Sequence, residues 1–334
     1  MATADRFRAL PKIELHLHAA GSVRPATMRE FVSADGLSPA LSEAYRPAAL
    51  GEGLTAYLAR FAAWDATVQS PERMARVVAE LGADLASDGI VHAEVRLRPP
   101  TDDDRLWRAM MEAAIAAARR LVTPRLGFIT VLLRGWTTER AEREARRTVA
   151  WAARGVVALD VAGDEGLGGI RPLEGAIRLA REAGLGITAH AGETGGAASV
   201  REALTQLGPD RIAHGVGSAE DDRLVAELRE RRVHLEMAIR SNAQTGSVPD
   251  PARHPFARLA RLGLHVGLST DNRTISGTTL SDEYGLAASV LGLTWAELAR
   301  ATERAAEAAF APAETRAALA RRVRDAWTSR APEP

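Results

Sequence analysis

Cysteine is absent from this 334-residue sequence. Disulfides are excluded, and so is every thiolate metal site, including the zinc deaminases built on a Cys-x-x-Cys pair. An excess of either charge is also missing, with 43 basic and 43 acidic side chains. There is no global electrostatic case for nucleic acid or an anionic membrane as a partner. No apolar run reaches the roughly 18 residues that would span a bilayer. The first residues, MATADRFRALPK, lack an apolar signal core, so the expectation is a soluble cytoplasmic protein. Lysine is nearly missing: Lys12 is the only one.

What is present is alternation. Short β-rich runs at 13–18, 91–97, 126–133, 156–161, 186–190, 211–214, 233–237 and 266–270 are separated by longer amphipathic segments. Helical patterns cover 71–86, 139–153, 173–183, 199–207 and 221–231, with Ser70 before Pro71 and Thr138 before Glu139 as caps. Eight strand–helix units imply parallel pairing, because each strand must return by a crossover. Eight is also the number that closes a barrel. The expected fold is α/β, a (β/α)₈ TIM barrel forming one domain over 1–334, with extra helices after strand 1 and at the C-terminus. Residues 25–66 are too many for one crossover and predict a lid over the barrel mouth. Residues 294–327 read as packed helices and 331–334 as a frayed end. A doubly wound open sheet would normally carry a Gly-rich phosphate loop after its first strand; two histidines stand there instead.

Barrel enzymes build their sites at the C-terminal ends of their strands. The first expected strand ends in His16-Leu17-His18, the fourth runs into Gly163-Asp164-Glu165, the fifth ends in His190-Ala191-Gly192-Glu193, the sixth in His214-Gly215, and the eighth in Asp271-Asn272. Side chains on a strand alternate faces, so His16 and His18 point the same way. With His190 and Asp271 they make three imidazoles and a carboxylate, a set that suits one zinc ion and leaves a place for water. Glu193, three residues beyond a ligand, is placed to move protons, and His214 to hold or deprotonate the water. Each feature alone has a plainer explanation: a strand histidine is more often a core or surface group, Asp271 could be a helix cap, and Gly163-Asp164-Glu165 a turn. His92, His234, His254 and His265 take the plainer explanation. The case for a metal rests on coincidence, since four of the eight histidines sit at the ends of three expected strands. Lys12 precedes the first expected strand and cannot bridge two metals as a carbamylated lysine, so a single Zn²⁺ is expected.

The pieces LPKIELHLH, LDVAGDE at 159–165, HAGE at 190–193, RIAHG at 211–215, SNAQTG at 241–246 and LSTDN at 268–272 closely resemble the adenosine deaminase family of the amidohydrolase superfamily. The resemblance implies that His16, His18, His190 and Asp271 bind zinc and that Glu193 protonates N1 of a purine. It implies that His214 orients and deprotonates the water attacking C6, that Gly163 offers its backbone amide to N3, and that Asn272 faces N7. The implied substrate is a purine nucleoside, adenosine first. Three departures concern the 5′ end and the base. Ala20 stands where the family often has an acidic residue that receives the 5′-hydroxyl. Asn272 replaces the second of two aspartates, and Ala238-Ile239-Arg240 replaces a Cys-Pro stretch. Gly135 also stands where a histidine is frequent. Ala20 and Gly135 would enlarge the 5′ pocket and Arg240 would add a cation there. A 5′-modified adenosine, such as 6-aminodeoxyfutalosine or a thio-nucleoside, is therefore the second choice and free adenine the third. A catalytically silent binder would need neither Glu193 nor His214.

Overall fold

The structure, a computed structural model, describes residues 2–332. Eight strands run in parallel in their chain order: β1 Lys12–His18, β2 Ile90–Arg96, β3 Arg125–Leu133, β4 Val156–Ala162, β5 Gly186–Ala191, β6 Arg211–His214, β7 His234–Met237 and β8 His265–Leu268. The sheet closes on itself just past β8. Leu17 pairs with Asp271, the His18 amide donates to the Asp271 carbonyl at 2.7 Å, and the Asp271 amide donates to the His16 carbonyl at 2.9 Å. This is the (β/α)₈ barrel. The strands are buried almost end to end, as expected when helices cover the outside and side chains fill the inside.

The outer helices follow their sequence signals. In Pro71–Ser87 the buried Met74, Val77, Val78, Leu81 and Leu85 recur at helical spacing. Each such burial contributes about 1.5–3 kcal/mol, so a charge at Val78 would break the seam against the sheet. The Ser70 hydroxyl accepts from the Arg73 amide and Pro71 occupies the first turn, as expected. At the helix Thr138–Val149 the cap lies one residue earlier than expected: Thr137, not Thr138, accepts from the Arg140 amide. That helix stops at Val149, and a short 3₁₀ turn follows before Gly155. The last strand ends two residues earlier than expected, shortly before Asp271, which takes a left-handed φ of 58° and turns the chain out of the sheet.

Four short helices, Pro25–Ala34, Ala40–Ala44, Leu54–Ala59 and Ala62–Thr67, occupy the expected lid region. At the tail, Trp295–Ala308 and Ala313–Ser329 pack together. Aromatics are scarce in this chain, yet Phe7, Tyr284, Trp295 and Trp327 gather into one cluster. The Trp327 indole N–H donates to the Pro11 carbonyl at 3.1 Å, fixing the C-terminal helices near the start of β1. Of the expected frayed end, 331–332 are irregular and 333–334 lie outside the described residues. No described helix is long and apolar enough to cross a membrane.

Candidate active site

The C-terminal end of the barrel gathers the histidines. His16 and His18 share a face of β1, His190 comes from β5, and Asp271 from the turn after β8. The Nε2 atom of His18 lies 3.3 Å from His16 Nε2 and 3.2 Å from His190 Nε2. Asp271 Oδ1 lies 3.2 Å from His16 Nε2 and 3.4 Å from His18 Nε2. Four ligands about 2.0–2.1 Å from a tetrahedral ion stand about 3.3–3.4 Å apart, so the spacing fits one such ion. The donor set fits as well. Burial pushes His16 well below the ordinary imidazole value and His18 down to about 3, so both rings are neutral and each can offer a lone pair to a cation. His214 joins them: one ligand atom each from His16, His190, His214 and Asp271 lies within 4.8 Å of the others.

Behind the ligands stands a second set of groups. Asp160 Oδ2 lies 3.0 Å from His190 Nδ1, the Glu236 carbonyl 3.4 Å from His16 Nδ1, and the Ser241 hydroxyl donates to Asp271 Oδ2 at 2.6 Å. Such partners fix ring orientation and leave Nε2 free for a metal. Sequence reading missed them. The available signal was an acid at the inward register of otherwise apolar strands, Asp160 in β4 and Glu236 in β7.

A cavity of about 310 Å³ opens from this cluster toward the lid. His18, His190, Glu193, His214, Asp271 and Asn272 line its deep end, and Leu54, Tyr57, Leu58, Phe61 and Trp64 of the lid its other side. Gly163 and Ala20 also line it. Gly163 has φ 97°, a left-handed conformation that glycine adopts without strain. Gly21 lets the chain approach Asn272, since a Cβ there would overlap the Asn272 side chain. Arg240 is not among the lining residues. It is half-buried, and its backbone amide donates to Glu283 Oε2 at 3.3 Å. Gly135 does not line the cavity either.

Glu193 follows β5 in a loop held by Glu165, whose carboxylate accepts from the amides of Glu193 (3.2 Å), Thr194 (3.0 Å) and Gly195. Burial, with Asp271 close by, pushes the Glu193 carboxyl up to about 8. It is a protonated acid at neutral pH. His214 Nε2 lies 3.6 Å from Glu193 Oε2, and burial pushes His214 down to about 4. His214 has a left-handed φ of 65°, as Asp271 does. Non-glycine residues in that region are uncommon and concentrate at functional sites. On its other side, His214 Nδ1 meets Asn242 Nδ2 at 3.0 Å, and Asn242 Oδ1 meets His254 Nε2 at 3.1 Å. His254 is thus a hydrogen-bonded core histidine that nonetheless reaches the site.

A metal-ligand set at the mouth of a (β/α)₈ barrel, beside a protonated glutamic acid, defines a metal-dependent hydrolase of the amidohydrolase fold. The family model for adenosine deaminase matches residues 11–326, and the chain belongs to that family. It is a hydrolase acting on carbon–nitrogen bonds, and its family chemistry is metal-dependent deamination. It is 35% identical to an adenosine deaminase of Mycolicibacterium vanbaalenii over 95% of both chains. It also resembles the N6-mAMP deaminase of Arabidopsis, with 26% identity, a TM-score of 0.86, and 96% and 99% of the two chains covered. An amidohydrolase from Burkholderia ambifaria with bound zinc is 26% identical, with a TM-score of 0.88 over 98% of this chain and 93% of that one.

Proposed function

We propose that the protein removes the 6-amino group of adenosine, or of a close adenosine derivative, by zinc-dependent hydrolysis to the inosine product and ammonia. One observation carries this reading: the Glu193 carboxyl, raised to about 8, shares the cavity with the ligand cluster, Gly163 and Asn272. Held by His16, His18, His190 and Asp271, zinc would act as a Lewis acid and lower the pKa of water from about 15.7 toward about 7.

The chain's own residues supply the rest. Water adds across C6=N1, its oxygen bonding to C6 and one hydrogen reaching N1. Glu193 gives N1 its proton and is made whole by the proton the water loses. His214 orients the attacking oxygen. The amino nitrogen then leaves with the hydroxyl hydrogen as ammonia, and C6 becomes a carbonyl. The Gly163 amide donates to N3, and the Asn272 side-chain amide donates to N7. The lid excludes water from the bound base.

Ala20 and the apolar lid side chains Leu54, Leu58 and Phe61 in the cavity wall favour a second reading, in which a 5′-modified adenosine is also accepted. A site with a polar partner for the 5′-hydroxyl would reject analogues lacking it. Initial rates on adenosine, 5′-deoxyadenosine and adenine, followed by the change in purine absorbance, test both. We expect kcat/KM for the two nucleosides to agree within about 10-fold. Strict dependence on the 5′-hydroxyl would overturn the second reading, and no turnover of any adenine nucleoside by zinc-loaded protein would overturn the first.

A further inference from the structure

Hydrogen positions on the site's imidazoles decide which of them can donate and which can accept, and one chain of contacts settles this for His214. It starts at a group with no choice. The Phe256 backbone N–H can only donate, and it meets His254 Nδ1 at 3.3 Å. That nitrogen must therefore accept, and the neutral ring carries its hydrogen on Nε2. Burial keeps His254 neutral, pushing it down to about 3. His254 Nε2–H then donates to the atom it meets at 3.1 Å, which must be the oxygen of the Asn242 side chain.

This orients the Asn242 amide. Its nitrogen faces His214 Nδ1 at 3.0 Å and Ser247 Oγ at 3.2 Å. Ser247 can accept there because its own hydroxyl donates to the Asn242 carbonyl at 3.1 Å. A flipped amide would set its NH₂ against His254 Nε2–H, or else force a hydrogen onto His254 Nδ1 against the Phe256 N–H. Both are donor–donor contacts. Asn242 and His254 are buried, and neither lines the substrate cavity. They act through His214.

We infer that Asn242 and His254 are positioning residues that fix the tautomer of His214, leaving its Nδ1 an acceptor and placing the hydrogen on Nε2. The Nε2 end is the one that faces Glu193 and the ligand cluster. A neutral His214 so held donates to an oxygen in front of it and does not take a proton there. The identity of that oxygen as the attacking water rests on the function proposed above; the tautomer does not. The resemblance to relatives implied a base at this position, and the hydrogen-bond order in this chain makes it a donor.

The test is ¹⁵N-histidine NMR of the full-length protein, zinc-free and zinc-loaded, with the His214 signal assigned by its loss in His214→Asn. Wild type should show the Nε2–H tautomer in both states. Asn242→Asp offers Nδ1 only acceptors and should convert His214 to the Nδ1–H form. In the loaded enzyme kcat should fall on the order of 10²-fold with KM little changed. His254→Gln keeps a donor toward Asn242 and should retain the wild-type tautomer, whereas His254→Leu should give a mixture. A wild-type Nδ1–H tautomer overturns the inference, as does an unchanged tautomer in folded Asn242→Asp. Should Asn242→Asp not fold, the wild-type spectrum and the two His254 variants still decide. Failure of the deaminase reading would look different: no nucleoside would turn over, while the tautomers stayed as stated.

Discussion

Two layers of the barrel interior, carried mostly by different strands, use charge in opposite ways. In the lower layer Arg96 meets Asp160 Oδ2 at 3.0 Å and Glu236 Oε2 at 2.6 Å. Arg211 meets Glu94 and Glu236, both at 2.6 Å, and the Phe310 ring covers its guanidinium at 3.7 Å. All five charged groups are buried, and each carboxylate faces a guanidinium. In the upper layer three imidazoles and the Asp271 carboxylate converge beside an open cavity. The lower layer is complete in itself, while the upper one fits a further ion. Asp160 and Glu236 belong to both layers, so the closed network is also the floor that sets the ligands.

The largest effect should come from opening the lower layer. Arg96→Met takes a buried guanidinium from Asp160 and Glu236, leaving them His190 and Arg211, and removing one partner of such a pair costs about 3–5 kcal/mol. Urea unfolding of the zinc-free protein measures this. A loss below about 1 kcal/mol would show that the layers are not coupled through that guanidinium. Next comes Glu193→Gln, which removes the acid of the upper layer. We expect kcat to fall about 10²-fold or more, with zinc content and melting temperature unchanged. Wild-type turnover would remove Glu193 from the chemistry.

Strand-end histidines made the upper layer legible in the sequence. His16-x-His18, His190 and Asp271 carry their chemistry in their residue types, and strand periodicity places them. The barrel was legible for the same reason, as eight apolar runs need only local pattern. The second set of groups was not. Asp160, Glu236 and Ser241 matter through contacts between strands distant in sequence, and no local spacing reveals that Arg96 spans from β2 to β4 and β7. Likewise Asn242 and His254 lie 12 residues apart across a loop and a 3₁₀ turn. The lid was visible only as surplus length, and its cavity-lining Tyr57, Phe61 and Trp64 were not singled out. Arg240 shows the converse: a charge near a motif suggested the pocket, whereas the short helix Ile239–Gln244 carries it and the cavity wall does not include it.

The smallest effect concerns a buried carboxyl that has no ion pair of the lower-layer kind. Glu283 accepts from the Ile239 and Arg240 amides and from Thr278, and burial pushes it up to about 7. A raised folded pKa contributes stability that is complete below the unfolded value of about 4.5 and is lost as pH rises through about 7. Glu283→Gln should flatten the decline between those pH values by up to about 3 kcal/mol. Thermal melts of both proteins across that window check it, and parallel curves would mean Glu283 is ionised throughout.

Metal titration tests the proposal that the upper layer holds one zinc ion for deamination. Purified protein should carry about one zinc per chain, lose adenosine deamination on exhaustive chelation, and recover it fully at about one equivalent of zinc. His16→Ala and His190→Ala should bind none and stay inactive. Full activity of the chelated protein, with zinc shown to be absent, would contradict the account.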